Sequence, residues 1–141
     1  PFDFFSYSNI ELGDDVSISP GAHFSTIKKI KIGSKVMFGP NVTIIGGDHN
    51  HNQIGKYMFD VDVKLPENDK DIIIEDDVWI GTSAIILKGV TISRGSIIGA
   101  GSIVTKDIPE YSIAIGSPAK VIRKRFNESD LENHKNILGK I

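Results

Sequence analysis

An all-β solenoid built from six-residue repeats is the fold class this sequence predicts, and three observations predict it. Aliphatic residues recur at every sixth position through Ile74, Ile80, Ile86, Ile92, Ile98 and Val104. Four residues on from each of the first five stands a small or medium side chain: Val78, Ala84, Val90, Ser96 and Ser102. Gly81, Gly89, Gly95, Gly99 and Gly101 run through the same stretch. An amphipathic helix would be weakened by each glycine and wants its apolar residues three and four apart. With 40% of the chain hydrophobic, an unbroken run of six such slots arises by chance roughly 4 times in 1,000.

Each element follows from that register. The opening run Phe2, Phe4, Phe5 and Tyr7 is too apolar for a free tail and is expected to cover the first coil, an N-terminal cap over 1–11. The hexad then passes through Leu12, Ile18 and Phe24 and, after two extra residues, through Ile32, Phe38 and Ile44. Val16, Ala22, Val36 and Val42 fill the fourth slots. Short strands of this kind make the sides of a three-sided coil, and stacked coils bury what one coil cannot. From about 45 to 72 the period stops in a segment rich in Gly, Asp, Asn, His and Lys. An interruption longer than ordinary connections predicts an extruded functional loop. The hexad resumes at Ile74. Near the end, Ser129, Asp130, Leu131 and Glu132 read as a capping box, Leu131, His134 and Leu138 stand at helical spacing, and Gly139 is a stop. A short helical tail is expected over 127–141.

The 141 residues are expected to form one domain, 1–141. Sixteen basic against 18 acidic side chains leave no broad positive surface for nucleic acid. No stretch approaches the roughly 18 apolar residues that cross a bilayer, and the start lacks the charged and apolar regions of a signal peptide. The expectation is a cytoplasmic chain with no membrane span. Having no cysteine, the chain has no disulfide, no thiolate nucleophile and no cysteine metal ligand. A coil this narrow buries little by itself, so association into a closed symmetric ring is expected.

Three stretches carry a resemblance. They are Asp76-Asp77-Val78-Trp79-Ile80-Gly81, then Ile98-Gly99-Ala100-Gly101-Ser102-Ile103-Val104-Thr105-Lys106-Asp107-Ile108-Pro109, then Gly116-Ser117-Pro118-Ala119-Lys120-Val121-Ile122. With the hexads from about Leu12 to Arg125, they resemble the hexapeptide-repeat acetyltransferases, closest to polysaccharide and galactoside O-acetyltransferases and to xenobiotic acetyltransferases. The resemblance implies a left-handed parallel β-helix and a homotrimer with active sites at subunit interfaces. It further implies transfer from acetyl-CoA to a hydroxyl of a sugar or polysaccharide precursor, with no metal required.

The resemblance also assigns roles. Within Gly46-Gly47-Asp48-His49-Asn50-His51-Asn52 the family's catalytic histidine falls on His49. His51 is the second candidate, as base or as substrate contact, and Asp48 and Tyr57 belong to the acceptor side. Trp79, the only tryptophan, would on residue type alone cap the hydrophobic column; the family match places it beside thioester and acceptor. Gly81, Ala100 and Gly101 are small positions along which the pantetheine arm lies, with Ser83, Gly99 and Thr105 beside them. Lys106, Pro118, Lys120 and Arg123 complete the coenzyme A set, the cations facing its phosphates. Lys124 and Arg125 extend that basic cluster, while His23 and His134 are expected at the surface.

The chemistry independently asks for such groups. A sugar hydroxyl is a weak nucleophile, so acylation from a thioester needs a base near pKa 7 within hydrogen-bond reach, and imidazole supplies one. The tetrahedral intermediate needs a donor for its oxyanion, expected near Trp79 to Gly81 or Ser83. No cysteine and no Ser-His-acid motif point to direct attack in a ternary complex. Amino-sugar N-acetylation or antibiotic acetylation would use the same donor site. A β-helix carbonic anhydrase would need three converging histidines; His23, His49 and His51 supply the number, but their spacing does not match that family's ligands and the coenzyme A-type tail would be unexplained. A silent scaffold is the remaining alternative.

Overall fold

The computed structural model describes residues 7–139. Every hexad side becomes a strand of two or three residues, too short to stand alone and stable only through the strand stacked beside it. One sheet stacks β1 (Ile10–Leu12), β4 (Ile30–Ile32), β7 (Ile72–Ile74) and β10 (Thr91–Ile92). A second stacks β2 (Ser17–Ile18), β5 (Met37–Phe38), β8 (Trp79–Ile80), β11 (Ile97–Ile98), β13 (Ser112–Gly116) and β14 (Ala119–Lys124). A third stacks β3 (His23–Ser25), β6 (Thr43–Ile45), β9 (Ile85–Leu87) and β12 (Ile103–Val104). The chain visits the three sheets in rotation, and all pairings are parallel except the final β13–β14 hairpin.

The predicted register is the observed one. Ile74, Ile80, Ile86, Ile92, Ile98 and Val104 are all 1% exposed or less, and the fourth-slot residues Val78, Ala84, Val90, Ser96 and Ser102 are buried with them. Each fully buried aliphatic of this size contributes about 1.5–3 kcal/mol of transfer free energy. Leu12 and Ile18 keep the register, pairing with Ile32 and Phe38, yet are 53% and 41% exposed because their strands are the last in their sheets. The expectation that Phe2, Phe4 and Phe5 cover this end lies outside the described residues.

Two corners of the coil share one device. Between first and second sheets, Asp15, Lys35, Asp77, Gly95 and Tyr111 all have positive φ, and between second and third so do Gly21, Asn41, Ser83 and Gly101. From the second coil on, their N–H groups donate to the coil below, as Asn41 to Pro20, Ser83 to Pro40 and Gly101 to Thr82. Left-handed residues turn the chain sharply without breaking the stack. The third corner has no such ladder among the described residues, and there, between Ile45 and Ile72, the long segment leaves the coil with two 3-10 turns, Met58–Asp60 and Pro66–Asn68.

Helix α1 (Glu128–Leu138) closes the described chain. Its cap is Asn127, two residues before the expected Ser129: the Asn127 side chain accepts from the Asp130 N–H at 2.8 Å. Asparagine already offers a good cap oxygen, so the helix starts at the first competent residue. His134 was expected at the surface, and that is corrected. Its ring lies 4.9 Å from Phe126 and 6.0 Å from Tyr111 between centroids, and its Nε2 is buried without a partner.

Candidate active site

Strand β6 delivers the chain into the interruption through Gly46 and Gly47, and both glycines are required by close approach. A Cβ on Gly46 would collide with the Thr26 side chain and one on Gly47 with the Asp69 carboxylate. The two arms of the segment pair at this root. Gly47 bridges Asp69 in antiparallel fashion, the Lys70 N–H donates to the Gly46 carbonyl at 3.0 Å, and the Asp48 N–H to the Asn68 carbonyl at 2.8 Å.

Asp48 anchors the root with its side chain as well. One carboxylate oxygen accepts from the Asn68 amide at 2.8 Å, and the other lies 2.6 Å from the Lys88 ammonium. These contacts hold its carboxyl below the usual carboxylate range, Lys88 first and Asn68 second. Asn68 is buried and its Oδ1 also accepts from the Leu65 N–H at 2.7 Å. Asp48 thus braces the loop root, while its side chain remains 48% exposed.

His49 follows directly and is exposed, lining an open cleft of about 350 Å³ with Ser25, Thr26, Ile27, Ile45, Gly47, Asp48, Lys64 and Asp69. Lys64 and Asp69 pair at 3.0 Å. His51 turns back, its Nδ1 lying 3.2 Å from the His49 carbonyl oxygen, while the Asn50 amide donates to the Val63 carbonyl across the loop at 3.0 Å. Tyr57 lies at the far end, 83% exposed beside the exposed Ile54, Met58 and Phe59. Among the described residues no three His, Asp or Glu side chains gather as metal ligands, so His23, His49 and His51 do not converge.

The donor-side residues gather elsewhere. Trp79 does not cap the core; it stands half-exposed on the outer face of the second sheet, in a column with Met37 and Ile97. Beside it, Gly81, Ser83, Gly99, Ala100 and Gly101 stack at the second-to-third-sheet corner of successive coils. Gly81 is needed there, since a Cβ would lie 2.6 Å from the Ala100 nitrogen and 2.8 Å from the Ile98 oxygen. At Gly101 a Cβ would meet nothing within 4 Å, so the corner is open at that one position. Thr105 and Lys106 follow β12, Pro118 turns the β13–β14 hairpin, and Lys120 and Arg123 pair with Ile115 and Ile113 along it, all exposed.

Two expectations change. The N–H groups of Trp79, Gly81 and Ser83 each donate to the neighbouring coil, at 3.0, 2.8 and 2.9 Å, so those backbone donors are not free for an oxyanion. Arg125 leaves the basic cluster: its guanidinium donates to Asp77 at 2.8 Å and to the Gly95 carbonyl at 3.2 Å. Sequence reasoning also missed Asn68 and Lys88. The pairing of Ile45 with Leu87 sets Lys88 beside Gly46, two residues from Asp48, so the coil register was the signal that could have found it. No donor-side residue lines the His49 cleft within one chain.

Known proteins resemble this chain in sequence and in fold. Residues 71–106 match the family described as bacterial transferase hexapeptide (six repeats). Over those residues the chain carries the hexapeptide repeat of that transferase family. A galactoside O-acetyltransferase of Lactococcus lactis is 37% identical over 92% of this chain and 59% of its own length. A chloramphenicol acetyltransferase of Agrobacterium fabrum is 36% identical over 73% of this chain and 55% of its own. Among solved structures of hexapeptide-repeat acetyltransferases, one from Vibrio cholerae complexed with acetyl coenzyme A superposes with a TM-score of 0.75. It is 30% identical and covers 84% of this chain and 62% of that one. The chain thus spans about six-tenths of the length of such relatives.

Proposed function

We propose that this chain transfers an acetyl group from acetyl-CoA to a hydroxyl of a saccharide acceptor, with His49 as the general base. The observation that carries the reading is the placement of His49: an exposed imidazole on a braced root, facing an open cleft where the coil is interrupted. The acceptor hydroxyl gives its proton to the imidazole as its oxygen attacks the thioester carbonyl. The tetrahedral intermediate then breaks its carbon–sulfur bond, and the coenzyme A thiolate takes up the proton. Because the backbone donors at Trp79, Gly81 and Ser83 are engaged, the search for the oxyanion donor turns to side chains, the Ser83 hydroxyl first.

The donor fits the corner beside Trp79. The open position at Gly101 leaves room for a pantetheine arm to approach the backbone, and the exposed Lys106, Lys120 and Arg123 offer cations to the phosphates. Since base and donor surface lie apart in one chain, the reading includes a homotrimer in which one subunit's loop meets another's donor face. The exposed apolar loop residues Ile54, Met58 and Phe59 and the half-exposed Met37 and Trp79 support such an interface. A left-handed winding, a single domain over 1–141 and a cytoplasmic location belong to the same proposal. Among the described residues no helix is long and apolar enough to cross a membrane. Antibiotic acetylation is a second reading, favoured by the relative named a chloramphenicol acetyltransferase.

The test is thiol release from acetyl-CoA with methyl β-D-galactopyranoside, glucosamine and chloramphenicol as acceptors. His49→Ala is expected to lower transfer to the galactoside by about 10²–10⁴-fold while leaving coenzyme A affinity nearly unchanged. His51→Ala should retain most of the rate. Equal thiol release with glucosamine and the galactoside would overturn the preference for O-transfer, and a fully active His49→Ala would overturn the base.

A further inference from the structure

The braced loop root has one member from outside the loop. Lys88 leaves the end of β9, in the coil stacked on β6, where the Ile45–Leu87 pairing holds the two strands in register. Its ammonium reaches both arms of the root at once: the Asp48 carboxylate of the outgoing arm at 2.6 Å and the Glu67 carbonyl of the returning arm at 2.7 Å. Those arms also touch directly through the Asp48 N–H to Asn68 bond and the Lys70 N–H to Gly46 bond, but both of these bonds lie within the segment and its immediate root.

We propose that Lys88 is a positioning residue: its ammonium latches both arms of the loop root to the neighbouring coil and thereby sets where His49 stands. The proposal rests on the reading of His49 as the base. An isolated surface ion pair contributes little, because two long side chains must be held in one geometry against solvent. Lys88 differs in two ways. Its side chain is only 24% exposed, so its stem is already held. It also bonds acceptors on both arms at once. Losing the ammonium frees one Asp48 oxygen and the Glu67 carbonyl while leaving the Asn68 contact, so the root loosens and the coils do not. For a base one residue from Asp48, small displacements matter, since a misplacement of about 1 Å costs on the order of 100-fold in rate.

The test uses the intact chain with two variants, Lys88→Met, which keeps the stem, and Lys88→Arg, which keeps the charge. Amide hydrogen exchange is read at Asp48 and Lys70, whose N–H groups make the root bonds, and at Trp79 and Ile85, whose N–H groups bond coil to coil. In Lys88→Met the first pair should exchange about tenfold faster with the second pair unchanged. With methyl β-D-galactopyranoside and acetyl-CoA, kcat should fall about tenfold while KM for acetyl-CoA holds. Lys88→Arg should restore both. Unchanged exchange at Asp48 and Lys70, faster exchange throughout the coils, or full kcat despite faster root exchange would each overturn the latch. A wild-type chain that transfers nothing to the galactoside removes that acceptor alone, a fully active His49→Ala removes the His49 reading, and in either case the exchange data decide the latch by themselves.

Discussion

The coils from Ile72 to Ile108 and the segment from Gly46 to Asp71 are held by different physics. In the coils each inward side chain stacks on its counterparts above and below, as Ile86 does between Ile44 and Val104, so position is repeated by packing. In the segment almost nothing apolar is buried, and its geometry comes from a handful of polar contacts around Asp48, Asn68 and Lys88. Packing makes the first region rigid and insensitive to single polar changes. The second region is where a base can be presented to solvent without breaking the stack. Fold and chemistry are thus separable by mutation.

The largest expected effect tests that separation. Ile86 is fully buried, and Ile86→Ala should cost about 2–5 kcal/mol, read as a shift of the denaturant midpoint. His49→Ala should shift the same midpoint by about 0.5 kcal/mol or less. If the two cost alike, the segment is part of the core and the comparison fails.

A smaller effect comes from the corner that joins both regions' functions. At Gly81 an added Cβ meets backbone atoms, which cannot swing aside, and it sits against the 2.8 Å bond from Gly81 to Ile98. Gly81→Ala should therefore destabilise by about 1–3 kcal/mol and weaken coenzyme A binding by calorimetry. Normal stability would show that the coils flex more than their packing implies. Smaller again is Asn127→Ala, expected to cost about 1 kcal/mol through the lost bond to the Asp130 N–H. That change should fray α1 in exchange measurements and leave the coils untouched.

What the sequence disclosed divides along the same line. The hexad named every core position from Ile74 to Val104 because a repeat writes the same packing requirement six times over. A single-use contact leaves no such trace. Lys88 reads as any surface lysine until the stacking of Ile45 on Leu87 brings it to Asp48. The same holds for Arg125, which a basic cluster in the sequence suggested for phosphate binding and which Asp77 and Gly95 instead engage. His134 was misjudged because its partners, Tyr111 and Phe126, come from outside its own helix. The segment's polarity marked it as functional, but only the structure shows the root bonds that Asp48 makes to Asn68 and Lys88.

The smallest predicted effect sharpens the contrast by pH. The Asp48 carboxyl is held below its ordinary range by Lys88 and Asn68. A folded-state value below the unfolded one means that the contribution to root stability is complete above the unfolded value, about 3.9, and is lost as pH falls through the folded value. Exchange at the Asp48 and Lys70 amides, corrected for intrinsic rates, should stay level from neutral pH down to about 4 and rise only below it. The Ile85 amide, bonded between coils to Ser102 at 2.8 Å, should hold over the same range. Because the Asp48 side chain is nearly half exposed, screening keeps the effect modest. In Lys88→Met the largest cause of the lowered value is gone, so the onset should move upward toward the ordinary carboxylate range. An onset that stays where the wild type has it would mean that Asn68 alone holds the root closed.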